Sequence, residues 1–566
     1  MGKNFKELSR REFLELVAVG AAGAAVTGLG VPSAFAAKPK RGGTLNVGVG
    51  FLIQTPDPQR FGGGWARTHM AFLYEGLTNP TPRGVRIKAI AEGKGDSLRD
   101  VQPMLAESWD IEKGGARYVF HLKKGVKFHT GKEFDSGDVK WCWERIKDPV
   151  HRAHARKKLT TFLKSIETPD RYTVVANLDR PYGGFLMANN WAATPILPKD
   201  CIPQGAIWGQ TPTFKPKTAG PPGTGPFKLV EFQQKAQAVL EAHREYRIPA
   251  LPYLDMVVLK VISKPVPHTM AVRAGDIDVG TIIDEKWLAK VMEGRETYRI
   301  EELKKEGLKL FAESGASNPY AIYLNCHPKL GNSPFKHEKV RQAMDCAIDR
   351  AQIVKVLYGK LGYPRGQGFD PNVSPWGFED IGYTEQDIPK AKQLLKEAGF
   401  PNGLDVNFSI TPTWGKQDLL AQIVQQMARP AGFRIKIIPE MGVQYWSRLR
   451  RRDYHMLHYH MGGEDPMGFY YGWGHTDPAE PWNGFSPFGV KDAELDKLLD
   501  AVAEESDFGK RREIFKKVVL RVREKVYNLP YVSPVGATVW NKRVKNVKPL
   551  DYFHLMQSMA EVWLEV

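Results

Sequence analysis

The order of apolar and polar residues along the chain predicts two kinds of secondary structure that alternate throughout. Short segments rich in β-branched and aromatic residues are typical of β-strands. In one of them Phe120 and Leu122 alternate with polar neighbours, as in a half-buried strand. The predicted strands are Thr44–Val49, Arg117–Leu122, Tyr172–Leu178, Met256–Ile262, Ala321–Asn325, Val406–Ile410 and Arg434–Pro439.

Longer segments carry apolar residues at intervals of three and four, which is the spacing of one buried helix face. One such pattern stops at Gly399, and glycine is the favoured residue just beyond a helix C-terminus. Strands that alternate with helices predict α/β layers. The predicted helices are Glu338–Leu357, Ile388–Ala398, Gln417–Ala428, Ala493–Val502 and Lys510–Val526.

Two changes of pattern indicate how the chain is divided. A Pro/Gly cluster at residues 216–226 predicts a turn-rich crossing, and near residues 305–319 a charged helix gives way to a strand at Leu308–Ala312. The strand-rich segment 531–566 predicts a return of the chain to its first part. We therefore expect one lobe at 41–302 plus 530–566 and a second at 304–529, and 566 residues are enough for two packed cores.

The N-terminal segment has the pattern of an export signal. Adjacent Arg10 and Arg11 precede a weakly apolar, Ala/Gly-rich run, and Ala34 and Ala36 then form an Ala-x-Ala cleavage site. This pattern predicts a twin-arginine signal peptide at residues 1–36, export through the Tat translocon and a periplasmic protein cleaved near Ala36. A membrane anchor is the alternative, but the run is short and rich in small residues. No cysteine follows it, so a lipoprotein anchor is not supported.

Composition excludes several classes of protein. Hydrophobic residues make up 42% and charged residues 25%, which is ordinary for a soluble globular chain. The net charge of +17 favours either anionic ligands or the membrane surface, or it reflects a solvated basic surface. Nucleic-acid binding is not expected outside the cytoplasm. Four cysteines lack C-x-x-C spacing, and the three ways of pairing them remain open.

Several short motifs follow one another in a fixed order and together resemble a known family. The motifs are Leu105–Asp110, Tyr118–Leu122, Lys124–His129, Gly223–Phe227, Ala274–Asp278, Pro334–Phe335, Val340–Ala343, Ala347–Arg350, Ala391–Leu395 and Ala398–Phe400. This array, over residues 42 to 566, resembles the family 5 extracellular solute-binding proteins, the peptide-, nickel- and opine-binding class. Most of these residues have structural reasons to be present. Gly223 and Gly225 suit turns with unusual backbone angles, and we expect Trp109 and Phe128 in the core.

The resemblance implies an α/β, two-lobed periplasmic binding protein fold of type II, in the large three-subdomain class, with an inserted subdomain at about 80–215. It implies a monomeric substrate-binding component of an ABC importer, with a ligand cleft between the lobes, membrane permease subunits and a separate ATPase. Three alternatives stay open: a binder of a non-peptide solute (an opine, an oligosaccharide or a nickel complex), a receptor for a sensor kinase and a Tat-exported enzyme. No cofactor motif or catalytic constellation is found, so we expect neither cofactor nor turnover.

In peptide-binding relatives a strand of the second lobe ends in an aromatic residue, and an Asp three positions later receives the α-amino group of the peptide. Here the resemblance puts Tyr459 at the aromatic position and Gly462 at the position of the Asp, with Met461 between them. A buried ammonium group without a counter-charge is costly, so either Glu464 substitutes or the ligand is not an ordinary peptide.

Further candidate ligand contacts lie in loops. Trp414 follows a predicted strand, and Trp473 belongs to an aromatic stretch at 467–488 that favours stacking on planar or sugar-like groups. Trp65 and Arg67 lie in a Gly-rich loop, where the guanidinium suits a carboxylate or phosphate. His455, His458 and His460 suggest a metal, but only two of them share a strand face, so we expect no metal site.

Overall fold

The computed structural model describes residues 39–565 apart from short gaps. The gaps are 53–54, 61–68, 81–100, 152, 154–158, 160–161, 191–192, 209, 212–217, 296, 298, 315–318, 329–331, 372–373, 412–415, 442, 461–465, 467–488 and 549–558. The predicted signal peptide therefore lies outside the described residues. Among the described residues no helix is both long enough and apolar enough to span a membrane.

Strands occur along the whole described chain. They are β1 (Thr44–Val49), β2 (Thr78–Pro80), β3 (Val101–Pro103), β4 (Ala106–Glu112), β5 (Arg117–Leu122), β6 (Leu163–Asp170), β7 (Thr173–Leu178), β8 (Phe227–Gln233), β9 (Gln237–Ala242), β10 (Met256–Val261), β11 (Val279–Gly280), β12 (Ile300–Leu303), β13 (Leu308–Ser314), β14 (Tyr320–Leu324), β15 (Gly362–Pro364), β16 (Leu404–Ile410), β17 (Phe433–Pro439), β18 (Met456–His460), β19 (Asn528–Asn541), β20 (Val544–Lys545) and β21 (Trp563–Leu564).

Helices lie between these strands. They are α1 (Ser136–Lys147), α2 (Phe185–Ala188), α3 (Pro265–Ala274), α4 (Glu285–Val291), α5 (Glu338–Ala347), α6 (Arg350–Leu357), α7 (Ile388–Glu397), α8 (Gln417–Ala428), α9 (Val443–Arg451), α10 (Ala493–Glu504) and α11 (Phe508–Glu524).

The predicted elements are present, with two differences. The charged helix expected just before Leu308–Ala312 is instead strand β12 and a turn at residues 304–307, because Ile300–Leu303 pairs with β13 as a hairpin. The pattern predicted a single helix at Glu338–Leu357, whereas the structure has α5 and α6. Between them Ile348 is fully buried with an extended backbone, and the Asp349 carboxylate accepts the backbone N–H of Gln352 at 2.9 Å. The apolar stripe continues through the break, so the pattern could not reveal it, but an Asp that caps a new helix explains it.

Two sheets organise the described chain. A 13-stranded sheet has the path β17-β16-β18-β14-β19-β11-β1-β10-β9-β8, with β12, β13 and β15 attached beside it. A separate antiparallel sheet has the order β4-β5-β7-β6. Helix α1 packs on β6 and β7 of this four-stranded sheet. The α/β class expected from the sequence is confirmed.

Strand β19 runs through both parts of the large sheet. Residues 528–532 pair with β14, whereas residues 535–541 pair with β13. β15 pairs with the intervening residues 532–534, and β11 pairs with Val539 and Trp540. A single strand therefore connects the sheet built by β14, β16, β17 and β18 to the sheet built by β1 and β8–β11.

Gly223 and Gly225 are required for a reason that differs from the expected one. Neither has a positive φ. Instead, a Cβ on Gly223 would lie 2.0 Å from the carbonyl oxygen of Leu73, and one on Gly225 would lie 2.6 Å from the Leu73 carbonyl carbon. Close approach of two backbones, and not an unusual turn angle, excludes side chains here.

Two histidine rings hold the same turn. His129 accepts the backbone N–H of Gly223 on Nδ1, and its Nε2 lies 3.1 Å from the carbonyl oxygen of Gly225. Nδ1 of His243 lies 3.1 Å from the same oxygen. Burial and the neighbouring His243 lower the pKa of His129 to about 3, so this ring is neutral at physiological pH.

The core residues expected from the motifs are in the core. Phe128 is fully buried and Trp109 is half-buried against the same cluster. All four cysteines are free thiols. Burial raises the pKa of Cys142 to about 12 and that of Cys326 to about 11, so these two are unreactive core residues.

Candidate ligand-binding cleft

Strand directions bring several loops together near the middle of β19. On one side β1 is parallel to β10 and β11, and β11 is antiparallel to β19. On the other side β18 is antiparallel to β14, which is also antiparallel to β19. The carboxyl ends of β1 and β11 therefore point toward those of β18 and its parallel neighbour β16.

The strand register gives the width of the space between these ends. β18 ends at the level of Val532, because His460 and Val532 both pair with Tyr320. β11 ends at Gly280, opposite Val539. Seven residues of β19 separate the two levels, which corresponds to roughly 20 Å of extended chain. Ligands of α/β proteins bind at the carboxyl ends of strands, so this space is the candidate cleft.

The loop after β1 places an aromatic side chain at the candidate cleft. Phe51 lies two residues beyond the end of β1 and is 50% exposed, although most of the aromatic residues in the described chain are buried. Its neighbour Gly50 packs closely on the loop after β11, since a Cβ on Gly50 would lie 2.5 Å from Cδ1 of Ile282. An exposed phenyl ring on a fixed backbone is suited to contact an apolar or planar part of a ligand.

The loop after β16 is held at both of its ends. The backbone N–H of Thr411 donates to Oε1 of Gln417 at 2.8 Å, and Gln417 is fully buried at the start of α8. Lys416, just before α8, has a positive φ of 57°. The residues between these anchors, 412–415, include Trp414 and lie outside the described residues.

Lys416 contacts the opposite side of the candidate cleft. Its ammonium group forms an ion pair with Glu285, the first residue of α4, and also donates to the carbonyl oxygen of Leu357. It lies 4.8 Å above the ring centre of Tyr358. The loops after β11 and β16 therefore meet directly, as the strand directions require.

Tyr459 lies at the end of β18, where the sequence placed an aromatic platform. It pairs with Ala321 on β14, and its ring centre is 6.0 Å from that of Tyr323. The Tyr459 side chain is half-buried, and burial raises its pKa to about 12. The phenol is thus neutral, rigidly packed on one side and partly accessible on the other.

The sheet face opposite to Tyr459 carries a group of packed aromatic side chains, because neighbouring residues of a strand point to opposite faces. Nε2 of His458 lies 3.0 Å from the hydroxyl oxygen of Tyr531, and the His458 ring packs edge-on against Tyr320. Burial, with the nearby Glu285 carboxylate, raises the pKa of Tyr320 to about 12. His458 and Tyr531 are fully buried, so this group packs the sheet beside the candidate cleft and does not itself present groups to a ligand.

The histidines that suggested a metal have other partners. His458 is fully buried beside Tyr531, while Nδ1 of His455 accepts the backbone N–H of Asn407 at 3.2 Å. The side chain of His460 is outside the described set. Within the described ranges no cluster of three or more His, Cys, Asp or Glu side chains is arranged to hold a metal ion.

Of the eight ligand contacts predicted from the sequence, Tyr459 is the one that the structure describes. The others lie outside the described residues and stay predictions; they are Trp65, Arg67, Trp414, Met461, Gly462, Glu464 and Trp473. Sequence reasoning missed Phe51, Glu285 and Lys416. For Phe51 the available signal was its position directly after a predicted strand, and for Lys416 its position beside Trp414, because loops at strand ends carry binding residues. Glu285 had no such signal, since the short strand β11 was not predicted.

Comparison with known proteins agrees with this geometry. The profile of the family described as "Bacterial extracellular solute-binding proteins, family 5 Middle" matches residues 100–481. Heme-binding protein A of Haemophilus influenzae is 28% identical over 84% of this chain and 86% of its own. Di/tripeptide-binding protein 1 of Pseudomonas aeruginosa is 26% identical over 79% of this chain and 82% of its own.

Solved structures share the fold. The ABC transporter-associated periplasmic binding protein DppA from Helicobacter pylori, in complex with the peptide STSA, has a TM-score of 0.76 and 24% identity over 93% of this chain and 99% of its own. The binding protein AgaA from A. tumefaciens R10, in complex with agropinic acid, has a TM-score of 0.75 and 23% identity, covering 93% of this chain and 99% of AgaA. The two-lobed fold expected from the sequence is thereby confirmed. With its motifs, its sheet topology and the matched profile, this chain belongs to the family 5 bacterial extracellular solute-binding proteins.

Proposed function

We propose that this protein captures a peptide or peptide-like small polar solute by closure of two lobes and delivers it to an ABC importer. The observation that carries the proposal is the convergence of the carboxyl ends of β1, β11, β16 and β18 on the middle of β19. Lobes that close over such a space bury a ligand from both sides, and a transporter can distinguish the closed form from the open one.

We place the boundary between the lobes within β13–β14 and within β19. β13 pairs with residues 535–541 of β19, on the side of β1, whereas β14 pairs with residues 528–532 on the side of β18. This pairing supports one crossing between β13 and β14 and a second at residues 533–534, about a dozen and about four residues later than the boundaries read from the sequence. The four-stranded sheet β4–β7 is the proposed inserted subdomain.

The proposed activity is reversible binding without turnover. The partners are permease subunits with a separate ATPase, which the chain reaches as a periplasmic monomer after Tat export and cleavage near Ala36. Membership of a solute-binding family supports this proposal. A receptor that presents its ligand to a sensor kinase would use the same fold. Deletion of the gene distinguishes them, since intact uptake with lost signalling favours the receptor.

Peptides are the leading ligand class, whereas Gly462 favours a ligand without a free amino terminus. The names of similar proteins include di/tripeptide-binding and glutathione-binding proteins, which supports a peptide. Gly462 at the expected amine-binding position removes the usual counter-charge, which favours an opine or another ligand without a free amino terminus. The exposed ring of Phe51 and the half-buried ring of Tyr459 suit either class, because backbone amides and planar groups both pack on ring faces.

Calorimetry with a ligand panel tests the proposal. The panel comprises dipeptides, oligopeptides, glutathione, opines, oligosaccharides, haem and a nickel–histidine complex, and mass spectrometry of the purified protein detects any compound that it retains. We expect micromolar or tighter binding of one class and no chemical change in that compound. Conversion of the bound compound, or a tightly held organic cofactor, would show that the protein is an enzyme.

The same panel tests the role of Glu464. If Glu464 replaces the missing counter-charge, Glu464→Gln weakens dipeptide binding and leaves binding of N-acetylated dipeptides unchanged. Tight dipeptide binding that does not respond to this substitution would show that the interpretation of the 459–464 segment is wrong.

A further inference from the structure

Gly183 makes a second contact between parts of the chain that we assign to different lobes. It lies beside the four-stranded sheet, and its backbone N–H donates to the carbonyl oxygen of Ala503 at 2.8 Å. A Cβ on Gly183 would lie only 2.1 Å from the carbonyl oxygen of Glu505 and 3.3 Å from Cα of Ser506. Backbone thus meets backbone at the C-terminal end of α10.

Gly183 and the C-terminal end of α10 are each anchored to their own part of the structure. On one side the backbone N–H of Tyr182 donates to the carbonyl oxygen of Gly115, and the carbonyl oxygen of Tyr182 accepts the hydroxyl of Tyr118 at 2.8 Å. The Tyr182 ring stacks on Phe162 with ring centres 4.3 Å apart. The backbone that leads into Gly183 is therefore fixed by the four-stranded sheet independently of the bond to α10.

On the other side α10 is anchored to α11. Nε of Arg511, a fully buried residue of α11, donates to the carbonyl oxygen of Val502 at 2.9 Å. At the N-terminus of α10, Asp492 accepts the backbone N–H groups of Glu494 and Leu495 and pairs with Arg521. The end of α10 cannot retreat from Gly183 without moving this helix pair.

The four-stranded sheet in turn is attached to the unit built by β1 and β8–β11. The backbone N–H of His129 donates to the carbonyl oxygen of Gly223, and that of Ile196 donates to the carbonyl oxygen of Glu75. The buried Glu75 carboxylate pairs with Arg247 at 2.8 Å. When the lobes move apart, Gly183 therefore moves with the first lobe and leaves Ala503.

We infer that Gly183 is a closure-determining position: the absence of a side chain lets the lobes meet fully, and the contact with Ala503 holds the closed form even without ligand. This inference rests on the proposed function as a two-lobed binding protein. Gly183 has no positive φ, so alanine is compatible with its own backbone conformation. The three atoms nearest to a Cβ on Gly183 all belong to Glu505 and Ser506, which we assign to the opposite lobe.

The charges around the contact are compatible with closure. The Arg180 guanidinium lies 3.4 Å from the Asp500 carboxylate and 3.6 Å from that of Glu504, both on α10. A cation at a helix C-terminus also interacts favourably with the helix dipole. All three side chains are partly exposed to solvent, so we expect these pairs to add little compared with the backbone contact.

Small-angle X-ray scattering of the ligand-free full-length mature protein tests the inference. We expect wild-type scattering to contain a compact component that fits the closed structure, and Gly183→Ala and Gly183→Val to lose it. The thermal unfolding midpoint of Gly183→Ala should change by less than about 2 °C, because each lobe keeps its own packing. Gly382→Ala is the matched control, since a Cβ there meets nothing within 4 Å.

Three results would overturn the inference. The first is scattering of Gly183→Ala identical to that of the wild type, and the second is wild-type protein without any compact component. The third is a fall of the Gly183→Ala unfolding midpoint by more than about 5 °C, which would assign both sides of the contact to one rigid body. No ligand is used, so failure to bind any compound of the panel contradicts the proposed function without affecting this test.

Discussion

The ammonium group of Lys416 pairs with the carboxylate of Glu285, and this ion pair connects the loop after β16 to the helix after β11. The two residues lie on opposite sides of the crossing strand β19. Lys416 also donates to the carbonyl oxygen of Leu357, so in the proposed division of the chain its ammonium group has one partner from each lobe. We therefore expect the Lys416–Glu285 pair to be lost when the lobes separate.

Loss of this pair should weaken ligand binding through the open–closed equilibrium. Partly exposed ion pairs typically contribute about 0.2–1 kcal/mol, so we expect Lys416→Met to raise the Kd by about 1.4- to five-fold at low salt. The difference should shrink at high salt. Calorimetry with the tightest compound of the panel provides the measurement.

A charge reversal and a distant pair serve as controls for that prediction. Lys416→Glu combined with Glu285→Lys should recover part of the affinity, whereas either change alone should not. Lys339→Met removes an exposed pair with Glu397 at 2.7 Å, within one lobe, and should leave the Kd unchanged. Equal effects of Lys339→Met and Lys416→Met would contradict a role of Lys416 in closure.

Tyr459 should contribute to binding through its ring. Tyr459→Ala should cost about 1–3 kcal/mol in binding, the range of a stacked and desolvated contact, while Tyr459→Phe should retain most of the affinity. The packing of this ring on Tyr323 predicts some loss of stability for the alanine variant, so thermal unfolding must be measured beside calorimetry. If the folded Tyr459→Ala protein binds with unchanged affinity, the ligand does not stack on the Tyr459 ring.

Phe51 is expected to be a ligand contact with little structural role. Since half of its surface is exposed, Phe51→Ala should leave the unfolding midpoint almost unchanged and should raise the Kd several-fold. Val230→Ala on β8 is the matched control, because Val230 is 47% exposed but lies far along the sheet from the candidate cleft. Similar affinities of the two variants would show that Phe51 does not contact the ligand.

Acid should destabilise the first lobe through the turn at Gly223–Gly225. The pKa of His129 is about 3 in the folded protein and about 6.5 in an unfolded chain, so the unfolded state binds protons more readily. This contribution to stability is complete above pH 6.5 and is lost as the pH falls toward 3, by up to about 1.4 kcal/mol per pH unit. Burial lowers the pKa of His243 as well, which adds in the same direction.

Unfolding by denaturant at pH 7, 6, 5 and 4 provides this measurement. His129→Asn should be less stable than the wild type at pH 7, because the ring bonds to Gly223 and Gly225 are lost, but its stability should fall less steeply toward pH 4. Parallel curves for the two proteins would show that His129 is not the titrating group.

Individual helices and strands could be predicted from the sequence, because the pattern of apolar residues that identifies each of them is local. Gln417–Ala428 and Arg117–Leu122 have the bounds that periodicity predicted, since burial on one face dictates both pattern and structure. The break at Ile348 was missed because the buried stripe passes through it. The pairing of β19 with both β13 and β14 depends on contacts between residues more than 200 positions apart, which no local pattern encodes.

The candidate site was predictable only where a motif or a strand end pointed to it. Tyr459 was found because it ends a strand that resembles its family counterpart. Glu285 and Lys416 lie 131 positions apart, and each alone is an ordinary charged residue at a helix start. The requirement for glycine at 183 depends on a backbone that approaches from α10, so it is visible only after folding.

The shared strand β19 also has a consequence for the order in which the protein folds during synthesis. β19 follows every other strand of the 13-stranded sheet in the chain, yet it pairs with strands on both sides of the cleft. β14 cannot pair with β19 until residues 528–532 have left the ribosome, and β13 must wait for residues 535–541; such distant pairings form slowly. Until then β13 and β14 expose edges on which another chain can pair, so we expect the nascent protein to need protection from aggregation until this strand has emerged.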